Sequence, residues 1–298
     1  MLKVINYIKK HPLVVLTLFI PLAFLAKSLH WNPMLIFAFS ALSLIPLAGY
    51  IGEATEVIAE YTGPKIGGLL NATLGNAAEL IITLIAINAG LLELVKASIT
   101  GSIIGNLLLV MGISMLAGGF KNGIQFFDRR HSSNQSVLLT LAVIALVIPS
   151  LFGHVIGTHD AWGVEQLSLG VAGVMIILYA ASLFFNFRSN QHVGSHTPVT
   201  DTKVIDKKIL NSAIVMLVAA TLGVVFMSEI LVGEVEEIVL RFGFSEFFLG
   251  IILIPIIGNV AEHLVAVQVA VRNQMDLSVE IAVSSSLQIA LFVAPVLV

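Results

Sequence analysis

The chain has 298 residues, 57% of them hydrophobic and only 11% charged, with a formal net charge of −3 and a mean hydropathy of +1.00. Soluble globular domains carry about 25% charged residues, so this is a polytopic membrane protein, and without a basic run nucleic acid is excluded as a partner. The absence of cysteine removes disulfides, thiol catalysis and thiolate metal sites together.

The first apolar stretch, 12–29, follows Lys3, Lys9 and Lys10. A signal peptide has the same outline, but Lys27 and His30 stand where a small-residue cleavage motif would be, so the stretch reads as a retained first helix. A bilayer core requires roughly 20 apolar residues per helix. Eight further stretches meet that need, near 33–58, 65–90, 94–119, 134–152, 163–186, 208–232, 246–270 and 277–298. The expected fold is therefore all-α with nine transmembrane helices. Pro12, Pro33 and Pro64 sit at or just before helix starts, where a missing N–H costs nothing.

Lys and Arg set the orientation. With a cytoplasmic N-terminus, that side collects Lys3, Lys9, Lys10, Lys65, Lys121, Arg129, Arg130, Arg188, Lys203, Lys207, Lys208 and Arg272, leaving Lys27, Lys96 and Arg241 on the other. The long polar linker, 187–206, falls on the cytoplasmic side, and the compact loops favour a prokaryotic plasma membrane.

Two segments read G-N-x-A-E: Gly75-Asn76-Ala77-Ala78-Glu79 and, 183 positions on, Gly258-Asn259-Val260-Ala261-Glu262. At the same offset Gly67 falls on Gly250. Upstream, Gly52-Glu53-Ala54-Thr55-Glu56 matches Gly233-Glu234-Val235-Glu236-Glu237 at 181, and downstream Thr100-Gly101-Ser102 sits close to Ser284-Ser285-Ser286. The first unit holds five helices, an odd number, so the second enters from the opposite side, as in inverted-repeat transporters. The expected organisation is an extra N-terminal helix (1–30), a first repeat (31–187), a cytoplasmic linker (188–206) and a second repeat (207–298). A second repeat matching the first in length would continue for roughly 60 more residues, so the chain is expected to be C-terminally incomplete.

An acid in hydrocarbon is costly and marks an ion or proton path. On a helix, i and i+3 share a face, so Asn76 points with Glu79 and Asn259 with Glu262. Two carboxylates and two carboxamides meeting near the midplane suit a hard cation such as Ca²⁺, which takes six to eight oxygens. Gly75 and Gly258 let a neighbouring helix come close. Pro255 leaves the Ile251 carbonyl without its helical donor and should bend the eighth helix one turn before Asn259. Emptied of metal, two neighbouring carboxylates hold protons rather than stay doubly charged, and a divalent cation displaces them. Either segment alone would also suit interhelical hydrogen bonding; their recurrence in register favours the ion site.

Glu53 and Glu56, with Glu60, end the second helix; Glu234 and Glu237, with Glu236, end the seventh. Acids there oppose the helix dipole and would draw cations into a vestibule at each mouth; charges resting at the lipid interface are the equal alternative. Glu229 is a candidate proton-path residue. Ser102, Asn106, Ser284, Ser285, Ser286 and Gln288 either line the pocket or pack between helices. His263, about 100° around the helix from Glu262, is a neighbour of the site rather than a ligand. His154, His159, His192 and His196 are expected in loops.

The segments GLLNATLGNAAELI, SITGSIIGNLLLVMG, LIPIIGNVAEH and SSSLQIALFVAPVLV resemble the Ca²⁺/H⁺ antiporters of the cation/proton exchanger (CAX) family, within the cation/Ca²⁺ exchanger superfamily. The resemblance covers nearly the whole chain. It implies an extra first helix before two inverted five-helix units, Ca²⁺ and H⁺ as transported ions with no organic cofactor, and Glu79 and Glu262 as Ca²⁺- or H⁺-binding residues. Asn76 and Asn259 would support them, with the serines and Gln288 lining the pocket. Two features depart from the family: the last two helices are lacking, and the linker, acidic in several relatives, carries only Asp201 and Asp206. Na⁺/Ca²⁺ exchangers place T-S-x-P-E/D patterns where this chain has G-N-x-A-E, which favours protons over Na⁺.

The expected function is exchange of cytosolic Ca²⁺ for H⁺ by alternating access, not enzymatic catalysis: no H-E-x-x-H motif and no nucleophile–base pair is present. A Na⁺/Ca²⁺-type exchanger and a passive cation channel are the alternatives. The expected partners are the lipid bilayer and Ca²⁺, with a homo-oligomer left open.

Overall fold

A computed structural model of the chain describes residues 12–156, 161–188 and 207–298. The described residues are helical throughout, joined by short turns, with no strand among them. A 3₁₀ segment, Pro12–Leu18, runs into α1 (Phe19–Ser28). The next elements are α2 (Pro33–Thr62), α3 (Pro64–Leu74) and α4 (Ala77–Asn88). Helix α5 (Leu92–Ile104) passes through a π-helical segment, Gly105–Val110, into α6 (Met111–Asn122). Then come α7 (Arg129–Ile156), α8 (Ala161–Arg188), α9 (Lys207–Gly233) and α10 (Val235–Phe242). A second π segment, Leu249–Leu253, precedes α11 (Ile254–Val271), and a third, Ile289–Val293, follows α12 (Met275–Gln288).

Seven spans among the described residues are long and apolar enough to cross a membrane: Pro33–Thr62, Leu92–Asn122, Ser132–Gly153, Trp162–Phe185, Lys207–Phe242, Glu246–Val271 and Met275–Val296. Two shorter apolar helices, Leu13–Ser28 and Ala77–Asn88, fall within the first and third predicted stretches. Pro33 and Pro64 open their helices as expected, and the Asn32 side chain caps α2 by accepting from the Met34 N–H at 2.9 Å. Three expectations change, and others fall on residues that are not described. The third predicted helix, 65–90, is broken between Leu74 and Ala77. The sixth runs through Arg188, past the predicted start of the linker. His154 lies in the last turn of α7, not in a loop. His159, His192, His196 and linker residues 189–206 lie outside the described residues.

The helices gather into two compact units. In the first, formed by 12–101 and 207–261, α2 packs along α9 and also meets α1 and α3, while α9 covers α4. Leu44, Ile51, Met227 and Leu231 fill its interior. Gly223 makes room for Leu47, since a Cβ there would lie 2.8 Å from Leu47 Cδ2. The buried Ser40 and Thr55 hydroxyls donate to the carbonyls of Ile36 and Ile51 one turn back, which satisfies them without another helix. Backbones approach most closely where α5 meets the π segment: a Cβ on Gly101 would stand 2.2 Å from the Ile251 carbonyl oxygen, and one on Gly250 2.5 Å from that of Leu94.

The Ile251 carbonyl is the one that Pro255 leaves without a donor. The lost bond is absorbed in the π segment Leu249–Leu253 just upstream, a recognised form of helix distortion. Pro295 follows the Ile289–Val293 segment in the same way.

In the second unit, formed by 102–188 and 262–298 within the described residues, α7 packs on α8 and α12 on α6 and α7. Met275, Val279 and Val283 of α12 form a cluster with Ala270, covered by Leu107 and Met111, and Tyr179 stacks on Phe292 at 5.5 Å. The turn after α6 caps the end of α11: Gln125 Nε2 donates to the Ala270 carbonyl at 2.8 Å and Asn122 Nδ2 to that of Val271 at 3.1 Å.

Candidate functional site

In the first unit the polar residues converge on Glu79. The break that precedes it falls between α3 and α4 at Gly75, a poor helix former, and Asn76, a residue type that favours caps over helix interiors. Asn76 takes the N-cap position of α4 with φ −101° and ψ 20°. It is therefore outside the helix, and a shared helical face does not relate it to Glu79. Both are buried, at 2% and 3% exposure. Glu79 lies in the first turn of α4, where the positive end of the helix dipole favours a carboxylate. Thr83, one turn on, is also buried and donates to the Glu79 carbonyl at 2.7 Å.

Helix α11 supplies the other half of this cluster. Asn259, buried at 2% exposure, donates from Nδ2 to Glu79 Oε1 at 2.5 Å and to the Pro255 carbonyl at 3.2 Å. Gly258 gives way to the same acid: a Cβ there would fall 2.8 Å from Glu79 Cγ. The two G-N-x-A-E segments are thus joined, carboxylate of one to carboxamide of the other. Around Asn259 the helix is continuous, unlike the broken first copy.

In the second unit, Glu262 follows Asn259 by three residues on α11. It is partly buried, and its Oε2 has no hydrogen-bond partner among the described residues. Asn106 Nδ2 donates to Ser285 Oγ at 3.0 Å, and His263 Nε2 lies 2.9 Å from Asn106 Oδ1. Asn106, Ser102 and Ser285 are buried, whereas Ser284 and Gln288 are half-buried and 3.5 Å apart, at the limit of hydrogen bonding. Ser286 is turned to its own helix, donating to the Ala282 carbonyl.

The outer acids divide. Glu53, Glu56 and Glu229 are exposed. Glu234 is buried at 5% exposure and paired with Lys27 Nζ at 2.6 Å, and Glu237 is paired with Arg241 at 2.5 Å. Glu234 and Glu237 therefore each carry a cation of this chain, which runs against their expected role in drawing ions. Sequence reading missed the Lys27 pair. Its signal was the span count, which puts the end of the first helix and the end of the seventh on one side. No group of three or more histidine, aspartate or glutamate side chains forms a metal cluster among the described residues; the candidate donors are carboxylates, carboxamides and hydroxyls.

Comparison with known proteins yields a consistent picture. The profile of the "Sodium/calcium exchanger protein" family matches residues 32–188 and 212–298. The chain is 44% identical over 296 residues to a Ca(2+)/H(+) antiporter of Aphanothece halophytica, covering 95% of this chain and 79% of that protein. It is 43% identical over 284 residues to the Ca(2+)/H(+) antiporter ChaA of Bacillus subtilis (strain 168), covering 94% and 80%. The solved structure of native YfkE superposes with a TM-score of 0.78 at 40% identity, covering 96% of this chain and 80% of that one. The H+/Ca2+ exchanger CAX shares the fold, with a TM-score of 0.74 at 16% identity over 96% and 73% of the two chains.

Proposed function

This chain belongs to the sodium/calcium exchanger protein family, and on that premise we propose that it exchanges cytosolic Ca²⁺ for H⁺ by alternating access. The family is one of integral membrane transporters, so the chain is not an enzyme. Relatives at 43–44% identity that carry the name Ca(2+)/H(+) antiporter support the choice of ions. The observation that carries the mechanism is the Asn259–Glu79 hydrogen bond. It fixes a buried carboxylate at the start of a half-helix, the arrangement that transporters built from broken helices use at their ion sites.

In this reading Glu79 and Glu262 hold either one Ca²⁺ or protons, and Asn76 and Asn259 complete the oxygen set with backbone carbonyls and water. Ser102, Asn106, Ser284, Ser285 and Gln288 line the path. Glu53 and Glu56 attract cations to one mouth, and the repeats are inverted about a midplane site, with the N-terminus cytoplasmic in a prokaryotic plasma membrane. Competition of metal and protons for the same oxygens couples the two fluxes.

Reconstitution in proteoliposomes tests this. An imposed pH gradient is expected to drive Ca²⁺ accumulation above its external concentration, and collapse of the gradient to release it. A passive channel would only equilibrate Ca²⁺, and a Na⁺-coupled exchanger would respond to a Na⁺ gradient instead. Absence of uphill uptake under a pH gradient overturns the proposal.

A further inference from the structure

In the second unit the turn between α6 and α7 carries a concentration of apolar surface. Phe120, Ile124 and Phe126 are 85%, 84% and 83% exposed, and no other large apolar side chain among the described residues exceeds 74%. Ile124 and Phe126 lie outside the spans that end at Asn122 and begin at Ser132, and Phe120 is in the last turn of α6. The hydrocarbon core therefore does not account for them, yet apolar surface left in water is unfavourable. The turn is also held in one shape. Gln125 Nε2 donates to the Ala270 carbonyl at 2.8 Å and to Asn273 Oδ1 at 3.2 Å, and the Asp128 N–H donates to Asp276 Oδ1 at 2.5 Å. Gly118 leaves space for the Gln125 carboxamide, since a Cβ there would fall 2.0 Å from Gln125 Oε1. With Gln125 turned inward, its neighbours Ile124 and Phe126 are left facing out. The charges around them are mostly positive. From Phe120 to Arg130 the bases are Lys121, Arg129 and Arg130 and the acid is Asp128; the adjoining turn adds Arg272 and Asp276. Exposed apolar side chains beside basic ones, at the end of a membrane span, match the acyl boundary and acidic headgroups of a lipid surface.

We propose that this turn is a docking surface for anionic phospholipid: Phe120, Ile124 and Phe126 enter the acyl boundary, and Lys121, Arg129 and Arg130 meet acidic headgroups. A second copy of the chain could cover the apolar groups, but an isologous contact would set the same bases against each other. An acidic membrane neutralises them instead. The hydrogen bonds to the end of α11 fix the turn beforehand, so little ordering is lost on docking. The surface is independent of the exchange function above.

Tryptophan fluorescence in proteoliposomes tests this without any transport measurement. Phe126→Trp is made in a background with Trp31→Phe and Trp162→Phe, which removes the two native tryptophans. Vesicles of one equimolar mixture of phosphatidylglycerol and phosphatidylcholine carry bromine on the acyl chains of either the anionic or the neutral lipid. The reporter is expected to be quenched more strongly by the brominated anionic lipid, by about twofold or more. Lys121→Gln, Arg129→Gln and Arg130→Gln together should remove that preference while quenching persists. Phe120→Ser with Ile124→Ser should weaken quenching by both lipids. Emission unquenched by either lipid, whether water-like or blue-shifted by a second copy over the patch, overturns the proposal. So does equal quenching by the two lipids in the reporter protein, or a preference that survives loss of the three bases. Quenching unchanged by loss of Phe120 and Ile124 contradicts it as well.

Discussion

Glu79→Gln and Glu262→Gln are each expected to reduce pH-driven Ca²⁺ uptake on the order of a hundredfold, equivalent to about 3 kcal/mol. Glutamine keeps the size and one oxygen of each side chain but removes its charge. At Glu79 the glutamine oxygen can still accept from the Asn259 NH₂, which now donates to Oε1, so what is lost there is the charge and the second acceptor oxygen. For Glu262 the structure offers less compensation, since its Oε2 has no protein partner among the described residues. Vesicle uptake of ⁴⁵Ca, normalised to the amount of reconstituted protein, measures these losses.

Gly101→Ala is expected to destabilise the fold by about 2 kcal/mol or more, a large effect for one methyl group. Its Cβ would stand 2.2 Å from the Ile251 carbonyl oxygen and 2.7 Å from the carbonyl carbon. Those atoms are backbone, in a segment already distorted by Pro255, so no side chain can rotate away. Overpacking of this kind costs up to about 3 kcal/mol, offset by about 1 kcal/mol from the better helix propensity of alanine. Gly112→Ala supplies the control: nothing lies within 4 Å of its Cβ position, so stability should hold or rise slightly. Thermal unfolding of the detergent-solubilised protein measures both.

Much of this architecture was legible in the sequence, for identifiable reasons. Hydropathy located the spans because lipid demands continuous apolar surface. The paired G-N-x-A-E segments marked Glu79 and Asn259 because a buried acid with an amide near it has few structural uses in hydrocarbon. Pro255 announced the distortion now found in Leu249–Leu253. The break at Gly75-Asn76 was not legible, because an averaged apolar window passes over it. Local sequence does not decide it either: the same dipeptide at Gly258-Asn259 sits inside a continuous helix, where the strain is taken up one turn earlier. Tertiary contact overrides propensity at such positions. The pairing of Lys27 with Glu234 was hidden because the first helix and the seventh are remote in the chain, and composition gives no contact between them. The π segment at Gly105–Val110 has no proline to announce it.

Proton release on Ca²⁺ binding tests the central claim most directly. Purified protein in weakly buffered detergent solution, titrated with Ca²⁺, is predicted to acidify the medium as the metal displaces protons from Glu79 and Glu262, and to lose that signal when both are glutamine. Saturable Ca²⁺ binding without acidification, or acidification that survives the double substitution, would contradict shared ownership of these carboxylates by metal and proton.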